Sequence, residues 1–368
     1  MDKSELLYKI GITLIPGVGD INAKKIIAYC GGAEAVFTEK KSNLLKIPGV
    51  GMYLAESIVK NKILQSAEKE IKFIEKNKIT PFYFLDETYP ERLKHCADSP
   101  IMLYYKGNVD MNAPKVVGIV GTRRATEYGK KICSEIIEGL ASYQVLVISG
   151  LAYGIDIHAH KAALQNGLMT IGVLGHGLNL LYPSEHKPTA EKMIEQGGLL
   201  TDFISETPFI PENFPKRNRI VAGLIDALIV VEAAKEGGAL ITADIANSYD
   251  RDVFAVPGRV TDRYSEGCNN LIKTNKASLV HSSKDIIYLM GWEEKKKKKN
   301  EGVQKQLFAE LSEIENNVVN LLKENNPASV DWIRVKLDMP ATKIASLLLN
   351  LEFMGIVKCL PGKMYQLL

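Results

Sequence analysis

The sequence predicts an α/β fold: a parallel-sheet core, a helical region before it and a small separate domain after it. Three observations carry this. From Lys115 to about Trp292, short aliphatic runs of the kind buried in sheets alternate with stretches of helical length. Ahead of them a Pro-Gly-x-Gly element occurs twice. Behind them, beyond an abrupt lysine run, three helical periods precede two short strands.

At 368 residues the chain is long for one domain, and with 46% apolar and 24% charged residues it can build more than one core. No apolar run approaches the roughly 18 residues that suggest a membrane span. The first ten residues alternate charge with short apolar pieces and lack the apolar centre of a signal peptide. A cytoplasmic protein without membrane contact is expected. Cys30, Cys96, Cys133, Cys268 and Cys359 are dispersed without a CxxC pair, which reads as free thiols, neither a disulfide framework nor a zinc site. His158 and His160 are close, but i, i+2 spacing on a helix turns them to different faces. No metal and no other cofactor is expected. The net charge is only +3, so attraction to nucleic acid requires that positive charge be gathered locally.

Residues 1–110 read as helical first and mixed later. Ile15-Pro16-Gly17-Val18-Gly19-Asp20 opens one helix, and Ile47-Pro48-Gly49-Val50-Gly51 opens another 32 residues on. The pair resembles a tandem helix-hairpin-helix (SAM-like) module, in which a tight glycine loop lets backbone N–H groups approach a phosphate. Gly17, Gly19, Gly49 and Gly51 are therefore auxiliary candidates for DNA contact. Packing or protein binding explains such a module equally well. An amphipathic helix over 65–78 and strands at 81–85 and 101–105 lead to the core.

Core strands are predicted at 116–120, 145–148, 170–173, 227–231 and 253–256, in a Rossmann-like unit over 111–292. Residues 293–306 read as a lysine-rich linker, kept in solvent by its charge, although such a run also holds phosphates weakly. Over 307–368, helices at 310–323, 330–337 and 341–354 precede a hairpin, 356–360 and 364–368, around Pro361-Gly362. That order suggests a winged helix.

In open parallel sheets, ligands bind beyond the carboxyl ends of the strands, near the switch in strand order. There this chain places Gly121-Thr122-Arg123-Arg124, Ser149-Gly150-Leu151-Ala152-Tyr153-Gly154, Leu174-Gly175-His176-Gly177, and Glu232-Ala233-Ala234-Lys235-Glu236-Gly237-Gly238. Small-residue turns at helix starts favour phosphate. A dinucleotide is disfavoured: Gly118 to Gly121 is not G-x-G-x-x-G, and the second strand ends in Ser149-Gly150 where a ribose-binding acid belongs. No P-loop is present. No nucleophile is poised and no carboxylate pair lies at strand ends, so no catalytic residue is assigned; Asp156 suits a helix start. Asn213-Phe214-Pro215-Lys216-Arg217-Asn218-Arg219 places an aromatic, three cations and an amide within seven residues, suiting a phosphate chain with an exposed base. The competing reading is a loop whose arginines only pair with Glu206 or Glu212.

These residues resemble the DprA (Smf) family, DNA-processing proteins of natural transformation. The likeness runs through Val120-Gly-Thr-Arg123 (usually Ser at 122), Ser149-Gly-Leu-Ala152, Gly154-Ile-Asp156 and Ala159-His160. It continues through Tyr182-Pro183, Phe214-Pro215-x-Arg217-Asn-Arg219, Leu240-Ile-Thr-Ala243 and Phe254-Ala-Val-Pro-Gly258. The resemblance implies a non-enzymatic single-stranded DNA binder that dimerises through its Rossmann-like core. It implies further that the protein protects incoming strands and loads RecA where single-strand-binding protein coats them. Carried over by position, the DNA pocket comprises Gly121, Thr122 and Arg123, Gly150, Leu151 and Ala152, and Lys187. It also takes in Phe214, Lys216, Arg217, Asn218 and Arg219, with Gly237, Gly238 and Thr242. Arg123 and Arg217 would hold phosphates, and Phe214 would meet a base or wall the pocket. Two positions depart from the pattern: His186 stands where the family has Asn, and Glu236-Gly237-Gly238-Ala239 replaces Ser-Gly-Ser.

Two other readings compete. The core more distantly resembles nucleotide phosphoribohydrolases, but the Pro, Gly and Glu of their Pro-Gly-Gly-x-Gly-Thr-x-x-Glu turn are missing around Gly237-Gly238. A duplex-DNA binder acting through the winged helix would rely on Lys343 and Asn350, sparse donors for base readout.

Overall fold

Nine strands join in one sheet: β1 (Thr80–Tyr83), β2 (Met102–Gly107), β3 (Val116–Val120), β4 (Leu146–Ser149), β5 (Thr170–Val173), β6 (Gly197–Thr201), β7 (Ala227–Val230), β8 (Asp252–Ala255) and β9 (Ser278–Leu279). Their order is β1-β2-β6-β5-β4-β3-β7-β8-β9. From β6 to β9 neighbours run parallel, while β1 and β2 close one edge antiparallel. This is a computed structural model describing residues 3–59, 62–293, 311–360 and 364–367. It divides into two units, Met1–Glu293 and Glu294–Leu368.

β3, β4, β5 and β7 are buried along their whole length because helices cover both faces. Val117 and Ile119 pack under the helices Glu127–Leu140 and Ile155–Gln165. Val116 and Val120 point the other way, toward Asn213–Leu224 and Gly238–Ser248. Period-two alternation divides one aliphatic run between two cores.

Three points differ from the sequence expectation. β6 and the two-residue edge strand β9 were not foreseen; in β6, Gly197-Gly198 reads as a strand breaker. Here the missing side chains make room: a Cβ on Gly198 would lie 2.3 Å from the Tyr105 ring, and the Tyr105 hydroxyl donates to the Gly197 carbonyl at 2.7 Å. Secondly, the sheet reaches back to Thr80, so two of its strands precede residue 111. Met102 and Tyr104 of β2 pack with the N-terminal helices, whereas Leu103 and Tyr105 face the main core. The helical region and the sheet thus share buried surface within one unit. Thirdly, the stretch from Asn213 to Arg219 is not a loop but the start of the helix Asn213–Leu224. Pro215 sits in its first turn, where no intrahelical N–H donor is required.

Both predicted glycine turns open helices, Asp20–Cys30 and Met52–Val59, with Gly17 and Gly49 at φ 80° and 90°. Side-chain-bearing residues adopt that conformation poorly. In the second unit the helices Glu313–Glu324, Val330–Leu337 and Ala341–Phe353 enclose a core of Val318, Leu322, Ile333, Ile344, Leu348 and Val357. Beside them Met364–Leu367 pairs with both Ala328–Ser329 and Val357–Leu360, completing a winged-helix arrangement. Residues 294–306 of the lysine-rich stretch and the turn at Pro361-Gly362 lie outside the described residues. Among the described residues no helix is long and apolar enough to cross a membrane, and all five cysteines are free.

Candidate nucleic-acid interface

From β3 the chain winds to β4, β5 and β6 on one side, then returns to place β7, β8 and β9 on the other. The loops leaving β3 and β7 therefore diverge, and a crevice opens between them. It has a volume of about 680 Å³ and is lined by Gly121 to Arg124, by Gly150, Ala152 and Asp156, and by Ala233, Ala234 and Glu236 to Ala239. One face of the helix Asn213–Leu224 completes it.

The loop after β3 is held from both sides. Thr122 N–H donates to the Glu232 carbonyl at 2.7 Å, and Ile155 N–H donates to the Thr122 carbonyl at 3.2 Å. Behind it, Thr126 caps the helix Glu127–Leu140 by accepting from Gly129 N–H at 3.1 Å, and its hydroxyl donates to the Glu232 carboxylate. Arg123 and Arg124 consequently project from a fixed turn into solvent. Opposite, Gly237 and Gly238 are exposed where the helix Gly238–Ser248 begins, with free N–H groups and the positive end of its dipole. Asn218 Nδ2 reaches the Gly238 carbonyl at 3.4 Å, and the Thr242 hydroxyl donates to the same carbonyl at 2.9 Å.

Arg217 forms the floor. It is 6% exposed and lies beside Asp156, 7% exposed, under Gly150. A Cβ on Gly150 would fall 2.4 Å from Asp156 Oδ2 and 2.5 Å from Arg217 Nη1, so the turn needs glycine there. Arg217 also donates to the Val173 carbonyl, while its Nε has no acceptor among the described residues. Burial raises the Asp156 carboxyl to about 6, against the downward pull of Arg217 and a hydrogen bond from Ala152. Burial likewise lowers His160 to about 4, keeping it neutral at physiological pH; its Nε2 meets the Gly150 carbonyl and its Nδ1 the Thr170 hydroxyl at 2.7 Å. His158 turns to another face and meets Ser134 Oγ at 2.9 Å.

Helical periodicity divides the basic cluster. Phe214, Arg217, Asn218 and Val221 face the crevice. Asn213, Lys216 and Arg219 face a second cleft on the far side, together with Asp20, Asp98, Asp202 and Glu206. Arg219 is consumed there: it binds Asp20 at 2.9 Å and Asp202 at 2.7 Å, and donates to the Asp98 carbonyl. The partners expected for pairing arginines were Glu206 and Glu212; the structure instead uses the hairpin's own Asp20. Asp20 also accepts from Ile101 N–H at 2.9 Å, so the first glycine hairpin is tied to the sheet. Arg219 thus joins the helical region to the core and lies outside the crevice. We expect Arg219→Ala to cost about 2 kcal/mol, because charged partners lose their hydrogen bonds. Its folded form should bind oligonucleotides as wild type does; urea unfolding and anisotropy report the two separately.

Lys187 starts the helix Lys187–Glu195, exposed and outside the crevice lining. Leu151 is buried and walls a side recess with Tyr153, Gly175, Tyr182 and Phe214. His186 accounts for its departure from the family residue: its Nδ1 meets the Leu151 carbonyl at 2.9 Å, so it still serves the second turn. Gly49 and Gly51 are exposed with open space around them. On the winged helix, Lys343 and Asn350 are exposed, but the same helix also exposes Leu349 (49%) and Phe353 (82%). Among the crevice residues that went unassigned in the sequence reading are Arg124, Tyr182 and Phe209. Arg124 directly follows Arg123 and Tyr182 lies in a quoted motif, whereas Phe209 sits in an irregular proline-containing stretch with no periodic signal.

The family model described as DNA recombination-mediator protein A matches residues 80–291, more than half of the chain and the same span that forms the sheet. The chain belongs to this family. The DprA winged helix domain matches residues 304–363. DNA processing protein DprA of Streptococcus pneumoniae is 40% identical over 210 residues, 57% of this chain and 74% of that one. The crystal structure of the S. pneumoniae DprA superposes with a TM-score of 0.63 at 32% identity, covering 77% of this chain and 97% of that one. DprA of Helicobacter pylori, whose structure is described for its single-stranded DNA binding mode, gives a TM-score of 0.53 at 27% identity, over 58% and 96%. Family membership agrees with the DprA-like motifs; of the residues they single out, Gly121 to Arg123, Gly150, Ala152, Phe214, Arg217, Asn218, Gly237, Gly238 and Thr242 line the crevice, whereas Leu151, Lys187, Lys216 and Arg219 do not.

Proposed function

We propose that this chain binds single-stranded DNA in the crevice between β3 and β7 and acts as a recombination mediator by binding rather than turnover. One observation carries the reading: glycine turns at two strand ends, exposed Arg123 and Arg124, and the aromatic Phe214 converge on one cleft. Backbone N–H groups and guanidinium groups suit a chain of phosphates, and an aromatic beside them suits an unpaired base. The H. pylori relative, described for its single-stranded DNA binding mode, supports the same ligand. In this reading the protein works in the cytoplasm, dimerises through its core, protects incoming strands in transformation and loads RecA on strands covered by single-strand-binding protein. The hydrolase alternative finds less support, because Leu240 and Ile241 replace the Gly and Thr of the hydrolase turn, and the place of its Glu is taken by Asp244, which is exposed and paired with Lys276 at 2.8 Å.

Anisotropy of a labelled oligo-dT and of the matching duplex, over a salt series, tests the ligand. Tighter binding of the single strand with a steep loss in salt is expected. Equal binding of both forms would remove the proposal.

A further inference from the structure

Beside the crevice stands a group of rings whose exposure neither the fold nor the phosphate contacts explain. Phe209 lies 4.8 Å from Tyr182 and 5.7 Å from Phe214, ring centre to ring centre, and Tyr182 lies 6.4 Å from Phe214. Phe214 is half-buried, yet Tyr182 is 45% and Phe209 43% exposed. Phe209 is supported from within by the buried His176 ring at 5.8 Å, which leaves its outer side in solvent. All three aromatics border the crevice. Arg123 holds its guanidinium carbon 5.8 Å from the Phe214 ring centre, placing the exposed cation where ring and crevice meet.

We infer that Tyr182 and Phe209 form a shelf on which unpaired bases stack while the adjoining phosphates lie along the crevice; this rests on the proposed single-stranded ligand. Continuity with the cationic crevice selects this occupant. A strand held at Arg123 carries its bases within reach of the neighbouring rings, and every base has a π face to offer. In a duplex those faces are stacked on one another, so the shelf favours a single strand without reading its sequence. An apolar protein segment would use the rings but would have no need of the adjacent arginines.

The test compares full-length wild type with Phe209→Ala and Tyr182→Ala, using oligo-dT and an equally long abasic sugar–phosphate chain. Both side chains are well exposed, so the variants should fold; Phe209→Trp keeps the ring and reports stacking by fluorescence quenching. Wild type should bind oligo-dT roughly tenfold or more tighter than the abasic chain, since one stacked base contributes on that order. Each alanine variant should lose most of that preference while binding the abasic chain unchanged, and the tryptophan should be quenched by oligo-dT alone. Alanine variants that keep the preference would overturn the shelf and leave the crevice standing, as would a wild type that binds both chains equally. If wild type binds neither chain, the single-strand reading fails and the shelf with it.

Discussion

Arg123→Ala should weaken oligo-dT binding by roughly tenfold to a hundredfold and flatten the logarithmic salt dependence by about one phosphate's worth of slope. The size follows from what else the side chain does. Arg217 is buried against Asp156, and Arg219 is paired with Asp20 and Asp202, so neither brings a free charge to the cleft. Arg123 is exposed on a turn pinned by Thr122 and Ile155, and its neighbours are the crevice and the Phe214 ring. Its truncation removes no buried contact, so folding should be preserved. Arg124→Ala should act in the same direction, and Lys343→Ala on the winged helix should leave the single-strand affinity of the crevice intact. An Arg123→Ala protein with the wild-type affinity and slope would exclude this turn from the phosphate path.

Arg217→Met should destabilise the protein by about 3–5 kcal/mol at pH 8, the usual consequence of stranding a buried charge. The stranded group is Asp156, already raised by burial to about 6 in the presence of Arg217. Arg217 is the strongest influence holding that value down, so its loss raises the carboxyl further. A carboxyl raised on folding, compared with about 3.9 in an unfolded chain, binds its proton more tightly in the folded state. The associated stability is complete below the unfolded value and is lost as pH rises through the folded one. The deficit of Arg217→Met should therefore shrink at pH 5, where Asp156 is neutral, and Asp156→Asn should recover part of it at pH 8. Urea unfolding at both pH values gives the answer; an equal deficit at both would show that Asp156 is not the source. By the same linkage, protonation of Asp156 below about pH 6 frees the Arg217 charge, so single-strand affinity should rise as pH falls from 8 to 5.5.

The sheet's parallel centre was legible in the sequence because its strands are buried on both faces: β3 and β5 fall where the aliphatic runs place them. β6 was hidden because its glycines serve the Tyr105 ring, a contact made with a strand ninety residues away in the chain. The glycine turns that line the crevice were legible as well, since glycine at a strand end followed by a helix has a local reason. The basic cluster was legible in composition but not in direction. Whether Arg217 and Arg219 point together or apart depends on the first turns of a helix, and Pro215 masked that start. Phe209 could not be found, because its role comes from Tyr182 and Phe214, which a linear pattern does not bring together. In the first glycine hairpin the acid at the helix start is spent on Arg219 and Ile101, contacts that no pattern within the hairpin announces, while Gly17 and Gly19 themselves stay exposed.

Amide hydrogen exchange, with and without oligo-dT, tests most directly that the strand lies in the switch-point crevice. Slower exchange should appear over Gly121 to Arg124 and over Gly237 to Thr242, with the hairpins at Gly17 to Asp20 and Gly49 to Met52 and the helix Ala341–Phe353 unchanged. Protection confined to the hairpins or the winged helix, with the turns after β3 and β7 unaffected, would contradict it and leave the crevice to another ligand.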